Sequence, residues 1–214
     1  MNWGNSSMKI IVSRYIIPII ILGLIVVGIL FDLRNQYERY YQMQGQWATF
    51  DSQAYHQQIR SFPDGFRLDY PLGWGITTYE RGGTKNLRQL RVSFTTPHFI
   101  FDPDSYLQVW WRRIDENWTL DDARKWFVKE IPFGLDGVEL REKQDTFQKT
   151  TVGIGQYPAL IQTFTVFSGE NPHEQVVLLV VGDEAFAFSF HTDNYDEQTE
   201  QIFERMLDSL EIYE

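Results

Sequence analysis

The sequence predicts an α+β domain, a mainly antiparallel sheet covered by helices, held behind an N-terminal transmembrane helix. Three observations predict it. An uncharged apolar run, Tyr15–Phe31, stands near the N-terminus. From about Gln53 onward, short runs alternate with period two between turn residues. Two stretches, Leu120–Ile131 and Tyr195–Leu210, instead repeat apolar residues at helical spacing. At 214 residues the chain has room for one domain and an appendage. The reading divides it into a cytoplasmic N-terminus (1–14), a transmembrane helix (15–31), a juxtamembrane helical stalk (32–52) and a globular domain (53–214).

Of the 17 residues in Tyr15–Phe31, 13 are Ile, Leu, Val or Phe. As a helix the run spans about 25 Å, close to the short limit for a bilayer. Transfer of so many apolar residues favours insertion by about 4–8 kcal/mol. Pro18 is expected in the first turns, where a missing amide matters least. A cleaved secretory signal would have a shorter apolar region ending in small residues, whereas this run ends Ile29-Leu30-Phe31. Arg14 and Arg34 flank the run and are placed to snorkel to the interface. Lys9 and Arg14 before it balance Arg34 and Arg39 after it, and the amino terminus tips the balance towards N-inside. The expectation is therefore a single-pass membrane protein with an extracytoplasmic C-terminal domain. Beyond the span, Leu33, Tyr37, Tyr40, Tyr41 and Met43 suggest a continuing helix that Gly45 breaks. Tyr37, Tyr40, Tyr41 and Trp47 suit headgroup level; the alternative is a stalk that packs on the following domain.

The predicted strands are Gly65–Asp69, Ile76–Tyr79, Gln89–Thr95, Leu107–Arg112, Val138–Phe147, Pro158–Phe167, Gln175–Val181 and Ala185–His191. Pro63-Asp64-Gly65, Arg81-Gly82-Gly83, Asp102-Pro103-Asp104 and Gly182-Asp183 supply turns. Val176–Val181 is continuously apolar, as a strand covered on both faces would be. Phe186, Phe188 and Phe190 give the last strand an aromatic face, and Ala185, Ala187 and Ser189 a small one on which a helix can lie close. In the first helix Thr119 and Asp122 form a capping box, and Ala123, Trp126, Phe127 and Ile131 form the buried stripe. In the second, Asp193 or Asn194 is the expected cap, and Ile202, Phe203, Met206, Leu207 and Leu210 share a face.

Charge is uneven. Residues 1–45 carry +2 and the remaining 169 carry −12, which disfavours nucleic acid as a partner. The chain has no cysteine, so disulfides, thiol nucleophiles and zinc–thiolate sites are excluded. Between Arg81 and Phe101 there is no acid, while Arg81, Lys85, Arg88 and Arg91 are basic. Such a hairpin would steer towards acidic partner loops or anionic headgroups, or else pair with acids elsewhere in the domain. Trp110 and Arg112 lie on the face of their strand opposite Leu107, Val109 and Trp111. Uncovered, they form an aromatic–arginine contact patch; covered by a helix, Trp110 is core.

Reactive chemistry is hard to find. His56, His98, His173 and His191 do not pair at ligand spacing. His98, Asp102 and Asp104 offer a loop metal site only weakly, against an ordinary Asx turn. Gly153 and Gly155 lack a third glycine and read as hairpin turn residues. No Gly-x-Ser-x-Gly, His-Glu-x-x-His or Walker lysine motif occurs. No catalytic, cofactor-binding or metal-binding residue is therefore assigned, no cofactor or small-molecule substrate is expected, and the chain reads as a non-enzyme.

Gly65-Phe66-Arg67-Leu68-Asp69-Tyr70-Pro71-Leu72-Gly73-Trp74 resembles the opening of PsbP-like (PsbP/DcrB-type) domains. A helix over Thr119–Ile131, a hairpin with Gly153, Gly155 and Tyr157-Pro158-Ala159 at its turn, and the closing strands with a helix ending Met206-Leu207-Asp208-Ser209-Leu210 follow in the family's order. The resemblance covers roughly residues 53–214. It implies an α/β/α sandwich and a role without catalysis. The best-known members are extrinsic lumenal subunits supporting photosystem II; this chain differs in carrying a transmembrane helix. The expectation is an accessory or assembly subunit docking on subunits of a larger membrane complex, photosynthetic or respiratory in kind. Its partner-binding candidates are Arg81, Lys85, Arg88, Arg91, Trp110 and Arg112, and its membrane-interface residues are Arg14, Arg34, Tyr37, Tyr40, Tyr41 and Trp47. The alternatives are a surface ligand-binding or hydrolytic domain with a pocket between sheet and helix, and a structural envelope protein without a fixed partner.

Overall fold

An apolar run needs its backbone amides satisfied internally, and a helix does this without a partner. In a computed structural model that describes residues 5–43, 45–55, 65–81, 89–97, 105–114, 117–130, 147–165, 173–192 and 196–213, helix α1 covers Asn5–Met43. Within it Pro18–Asn35 is long and apolar enough to cross a membrane, with a mean hydropathy of 1.9 and no buried share. The helix begins well before the apolar run, so Pro18 lies in its interior rather than in its first turns. There it deprives the Arg14 carbonyl of a helical donor. Gly45, at φ 77°, ends the helical course as expected, since a left-handed residue is easiest for glycine.

Residues 45–214 form a second compact unit. Its strands are β1 (Trp47–Asp51), β2 (Phe66–Pro71), β3 (Gly75–Arg81), β4 (Gln89–Thr95), β5 (Ser105–Arg113), β6 (Gln148–Val152), β7 (Tyr157–Thr165), β8 (His173–Val181), β9 (Glu184–Thr192) and β10 (Glu211–Ile212). Its helices are α2 (Leu120–Glu130) and α3 (Glu197–Asp208), with a 3-10 turn at Ser52–Tyr55. Every strand pair is antiparallel. Seven strands run in the order β3-β4-β5-β9-β8-β7-β6, and β1-β2-β10 make a small second sheet. Two meanders thus meet where β5 pairs with β9, and α2 lies on the crossover between them.

This confirms the α+β class and most of the elements. β1 is a correction: it begins at Trp47, inside the stretch read as a stalk to residue 52. Five register pairs with β2, from Trp47↔Pro71 to Asp51↔Arg67, bind it into the domain. Trp47 accordingly sits in a strand of the domain rather than in a helical stalk, with the Arg205 guanidinium 4.1 Å from its ring centroid. A second difference concerns the end of the predicted strand Val138–Phe147. Residues 138–146 lie outside the described residues, Phe147 is not in a strand, and the strand pairing with β7 is Gln148–Val152. A third is the cap of α3. The helix starts at Glu197, and Asp196 caps it by accepting from the Thr199 amide at 2.8 Å while Thr199 Oγ1 accepts from the Asp196 amide.

Alternation along β9 sets the layers. Phe186, Phe188 and Phe190 face the small sheet and α3. Phe66 meets Phe186 and Phe188 edge-on at 6.2 and 6.1 Å, and Phe190 stacks on Phe203 of α3 at 4.7 Å. Phe50 of β1 touches Phe66 and Phe94, each at 5.3 Å. On the opposite face Ala185 and Ala187 let α2 approach, and Trp126 and Phe127 fill the space with Trp110, Leu160, Val176 and Leu178. The domain is therefore layered, with α2 on one side of the large sheet and the small sheet with α3 on the other. Trp74 is buried as expected, behind a turn in which its amide donates to the Pro71 carbonyl at 3.1 Å.

Candidate functional site

The face of the seven-stranded sheet that carries α2 holds two of the sequence candidates, Trp110 and Arg112. Antiparallel register puts Gln89 and Arg112 in one cross-strand row, and Tyr79, Arg91, Trp110, Ala187 and Leu178 in the next. Arg81 pairs with Gln89, so it joins the row of Arg112. By register alone Arg81 and Arg112 fall in one row and Arg91 in a neighbouring one, at the β3-β4-β5 end of the sheet. Lys85 and Arg88 lie outside the described residues. Trp110 is only 7% exposed and belongs to the core beneath α2, so the covered alternative is the one observed and this indole is not a contact surface.

α2 is fixed at its start by the expected capping box. The Thr119 amide donates to Asp122 Oδ2 at 3.0 Å, and the Asp122 amide donates to Thr119 Oγ1 at 3.3 Å. The Thr119 hydroxyl, donating to Asp122 Oδ2 at 2.6 Å, and after it the Thr119 amide hold the Asp122 carboxyl below its ordinary value. The Asp121 carboxyl is also lowered, chiefly by the Lys125 ammonium 2.8 Å away, and Lys125 is raised by the same bond. Arg124 reaches Asp121 from the other side at 2.6 Å.

Two clefts flank this helix. One, of about 470 Å3, lies between Thr119–Asp121, Arg124, Phe147, Lys149 and Leu160. The other, of about 330 Å3, is lined by Arg112, Asn117, Trp118, Asp122, Lys125, Trp126 and Lys129. Here the Arg112 guanidinium stands over the Trp118 ring at 4.9 Å, and Trp118 leans on Trp126 with ring centroids 6.2 Å apart. Among the described residues the lining holds three cations and one carboxylate, in a domain of strongly negative charge. Sequence reasoning singled out Arg112 but missed Trp118, Lys125 and Lys129. The signal was available: Lys125 and Lys129 are one helical turn apart, hence on one side of α2.

Further along the same face the rows turn polar. Ser93, Gln108, Ser189, Val176 and Gln162 form one row; Thr95, Tyr106, His191, Glu174 and Phe164 form the next. Glu174 is 2% exposed, and the Ser189 hydroxyl donates to its Oε1 at 2.6 Å. Burial raises its carboxyl from 4.5 to about 7, the hydroxyl pulling modestly the other way. Tyr106 stacks on His191 at 4.8 Å. Glu174 went unnoticed in the sequence because the strand was started one residue later, at Gln175.

The remaining candidates are placed as follows. Arg34 is exposed on α1 and pairs with Glu38 at 2.8 Å. Arg14, Tyr37, Tyr40 and Tyr41 lie on α1, with side chains outside the described set. His98, Asp102 and Asp104 are outside the described residues as well. Gly153 and Gly155 occupy the β6–β7 turn, as read.

No family model matches this chain, and no curated protein matches it. A crystal structure from Bacteroides thetaiotaomicron VPI-5482 is similar at 16% identity with a TM-score of 0.43, over 70% of this chain and 45% of that one.

Proposed function

We propose that the chain is a membrane-tethered docking module: α1 anchors it in a single pass, and the domain from residue 45 is an accessory subunit of a larger membrane assembly. The observation that carries this reading is the basic, aromatic-lined cleft beside α2 in a domain of opposite charge. Complementary charge of this kind serves recognition and association rate. Tethering supports it, because the helix presents Ile19–Leu22, Leu24–Val27 and Ile29–Phe31 uncovered, as lipid contact requires. In this reading the domain faces the extracytoplasmic side, works without catalysis and follows the PsbP-like pattern of the sequence. Solubilisation of the native membrane in mild detergent tests it. The chain is expected to migrate with a larger assembly and to leave it as salt rises. Migration only as a free monomer at native abundance overturns the reading.

A second reading, a surface domain that binds or hydrolyses a small ligand, draws on Glu174, Ser189 and His191 sharing one buried stretch of sheet. Hydrolysis of a p-nitrophenyl ester by the purified chain, lost in Ser189→Ala, would favour it. Equal rates in the two proteins remove it.

A further inference from the structure

We propose that β6, the outer strand of the large sheet, takes up an extended segment of a partner protein as an added strand, with an acid of that segment against Lys149 and an apolar side chain in the cleft beside the start of α2. The inference deepens the docking reading and rests on it. β6 is the last strand of the seven-stranded order, so no described strand meets its outer side. An antiparallel pair uses alternate backbone groups, and those of β6 that turn away from β7 are left for another chain. Gln148, Lys149 and Thr151 are exposed, so the edge is open to approach. The strand carries no acid and no proline, and its threonines favour an extended course.

The cleft of about 470 Å3 lies beside this edge. Lys149 stands opposite Leu160 in register, and both line the cleft with Leu120, Phe147, Asp121 and Arg124. Asp121 is taken by Arg124 and Lys125, at 2.6 and 2.8 Å. Lys149 makes no ion pair among the described residues. An added strand would run about 4.8 Å beyond β6, with alternate side chains on the α2 side. One of these falls beside Lys149 and the next towards Phe147, which also lines the cleft. The edge thus selects a segment with a carboxylate and a large apolar residue two positions apart. Opposite charges across strands strengthen such a ladder, and the apolar residue covers Leu120 and Phe147.

Charge decides against a second copy of this chain as the occupant. Antiparallel pairing of two β6 strands about Thr150 sets the two Lys149 side chains on one diagonal. It also joins two domains that each carry −12 over residues 46–214. A bilayer or a nucleic acid supplies no amides and carbonyls in the spacing of a strand.

The test uses the full chain in neutral detergent and the fluorescein-labelled peptide Thr-Leu-Thr-Glu-Thr-Leu-Thr, read by fluorescence anisotropy. Saturable binding is expected. Lys149→Glu, an exposed change, should weaken it about fivefold, and a peptide with Lys in place of Glu should recover the loss on that variant. The exchange separates a charge contact from misfolding. Methylating the amides of alternate peptide residues separates an added strand from a side chain lodged in the cleft. One set, facing β6, should abolish binding, and the other should spare it. Equal effects of the two sets overturn the proposal, as does affinity indifferent to the charge at residue 149. Self-association in sedimentation that the peptide reverses assigns the edge to a second copy and also overturns it. If the chain co-migrates with an assembly yet ignores the peptide, docking stands and this edge is not its seat. If the peptide binds as expected and no assembly is found, the docking reading alone falls.

Discussion

Glu174 holds its proton at a cost that depends on pH. In the unfolded chain the carboxyl titrates near 4.5; in the fold, burial lifts it to about 7. Between those values the folded state keeps a proton that the unfolded state has released. Stability therefore falls as pH rises through the window and levels off above it. A displacement of this size corresponds to about 3 kcal/mol. Glu174→Gln retains an acceptor for Ser189 and cannot ionise, so its urea midpoint should lose that fall between pH 5 and 8 and exceed that of the parent at pH 8. A parent midpoint that tracks the variant's across that range contradicts the account. Gly153 makes a different residue-level demand. Its φ is 75°, and a Cβ there would stand 2.5 Å from the Leu210 carbonyl oxygen, which already accepts the Ile154 amide. Gly153→Ala should cost about 1–3 kcal/mol from the left-handed backbone alone, with the collision added. A chemical-denaturation midpoint equal to that of the parent would show that the turn can move away from β10.

Helix α3 shows how far an element can be read in advance and where the reading stops. Its apolar stripe was legible because Phe203, Met206 and Leu207 recur at helical spacing, and all three are buried. Its start was not, because Asp193, Asn194 and Asp196 all have capping chemistry and only geometry chooses among them. Asp196 is extended at φ −135° and shares a reciprocal box with Thr199. Asp196→Ala should therefore destabilise the domain by about 1 kcal/mol, measured by thermal melting. The same change at residue 193 should have little effect on helix stability. The strands follow a similar logic. β4, β5, β8 and β9 were legible because alternation or a continuous apolar run marks burial. β1 and β10 were not, because each is short and gains its place from pairing with β2 rather than from its own pattern. At the candidate site Arg112 was legible as a cation beside an aromatic run. Its partnership with Trp118 and Lys129 depends on where α2 lands on the sheet, and no local pattern encodes that.

At the scale of the whole molecule the division falls at residue 45, and its position makes a sharp claim about what folds alone. Residues up to 44 form one unit around α1, and everything from Gly45 forms the other. The segment from Gln46 to Ser52 belongs to the second unit by three separate ties. Phe50 is 1% exposed between Phe66 and Phe94. The Leu72 amide donates to the Gln46 carbonyl at 2.9 Å, and the Phe66 amide donates to the buried Ser52 hydroxyl at 2.8 Å. A fragment of residues 45–214 should therefore stay soluble without detergent and melt cooperatively, whereas the full chain should require detergent because the flanks of α1 are uncovered. A fragment of residues 53–214, cut where the alternating pattern begins, removes β1 and leaves one edge of β2 unpaired. Loss of Phe50 alone removes about 3–5 kcal/mol, a large part of the stability of an ordinary domain. That shorter fragment should melt far below the longer one or fail to fold, as read by circular dichroism. Equal melting of the two would mean that β1 is an ornament of the second unit, and that the boundary set by sequence pattern was the better one.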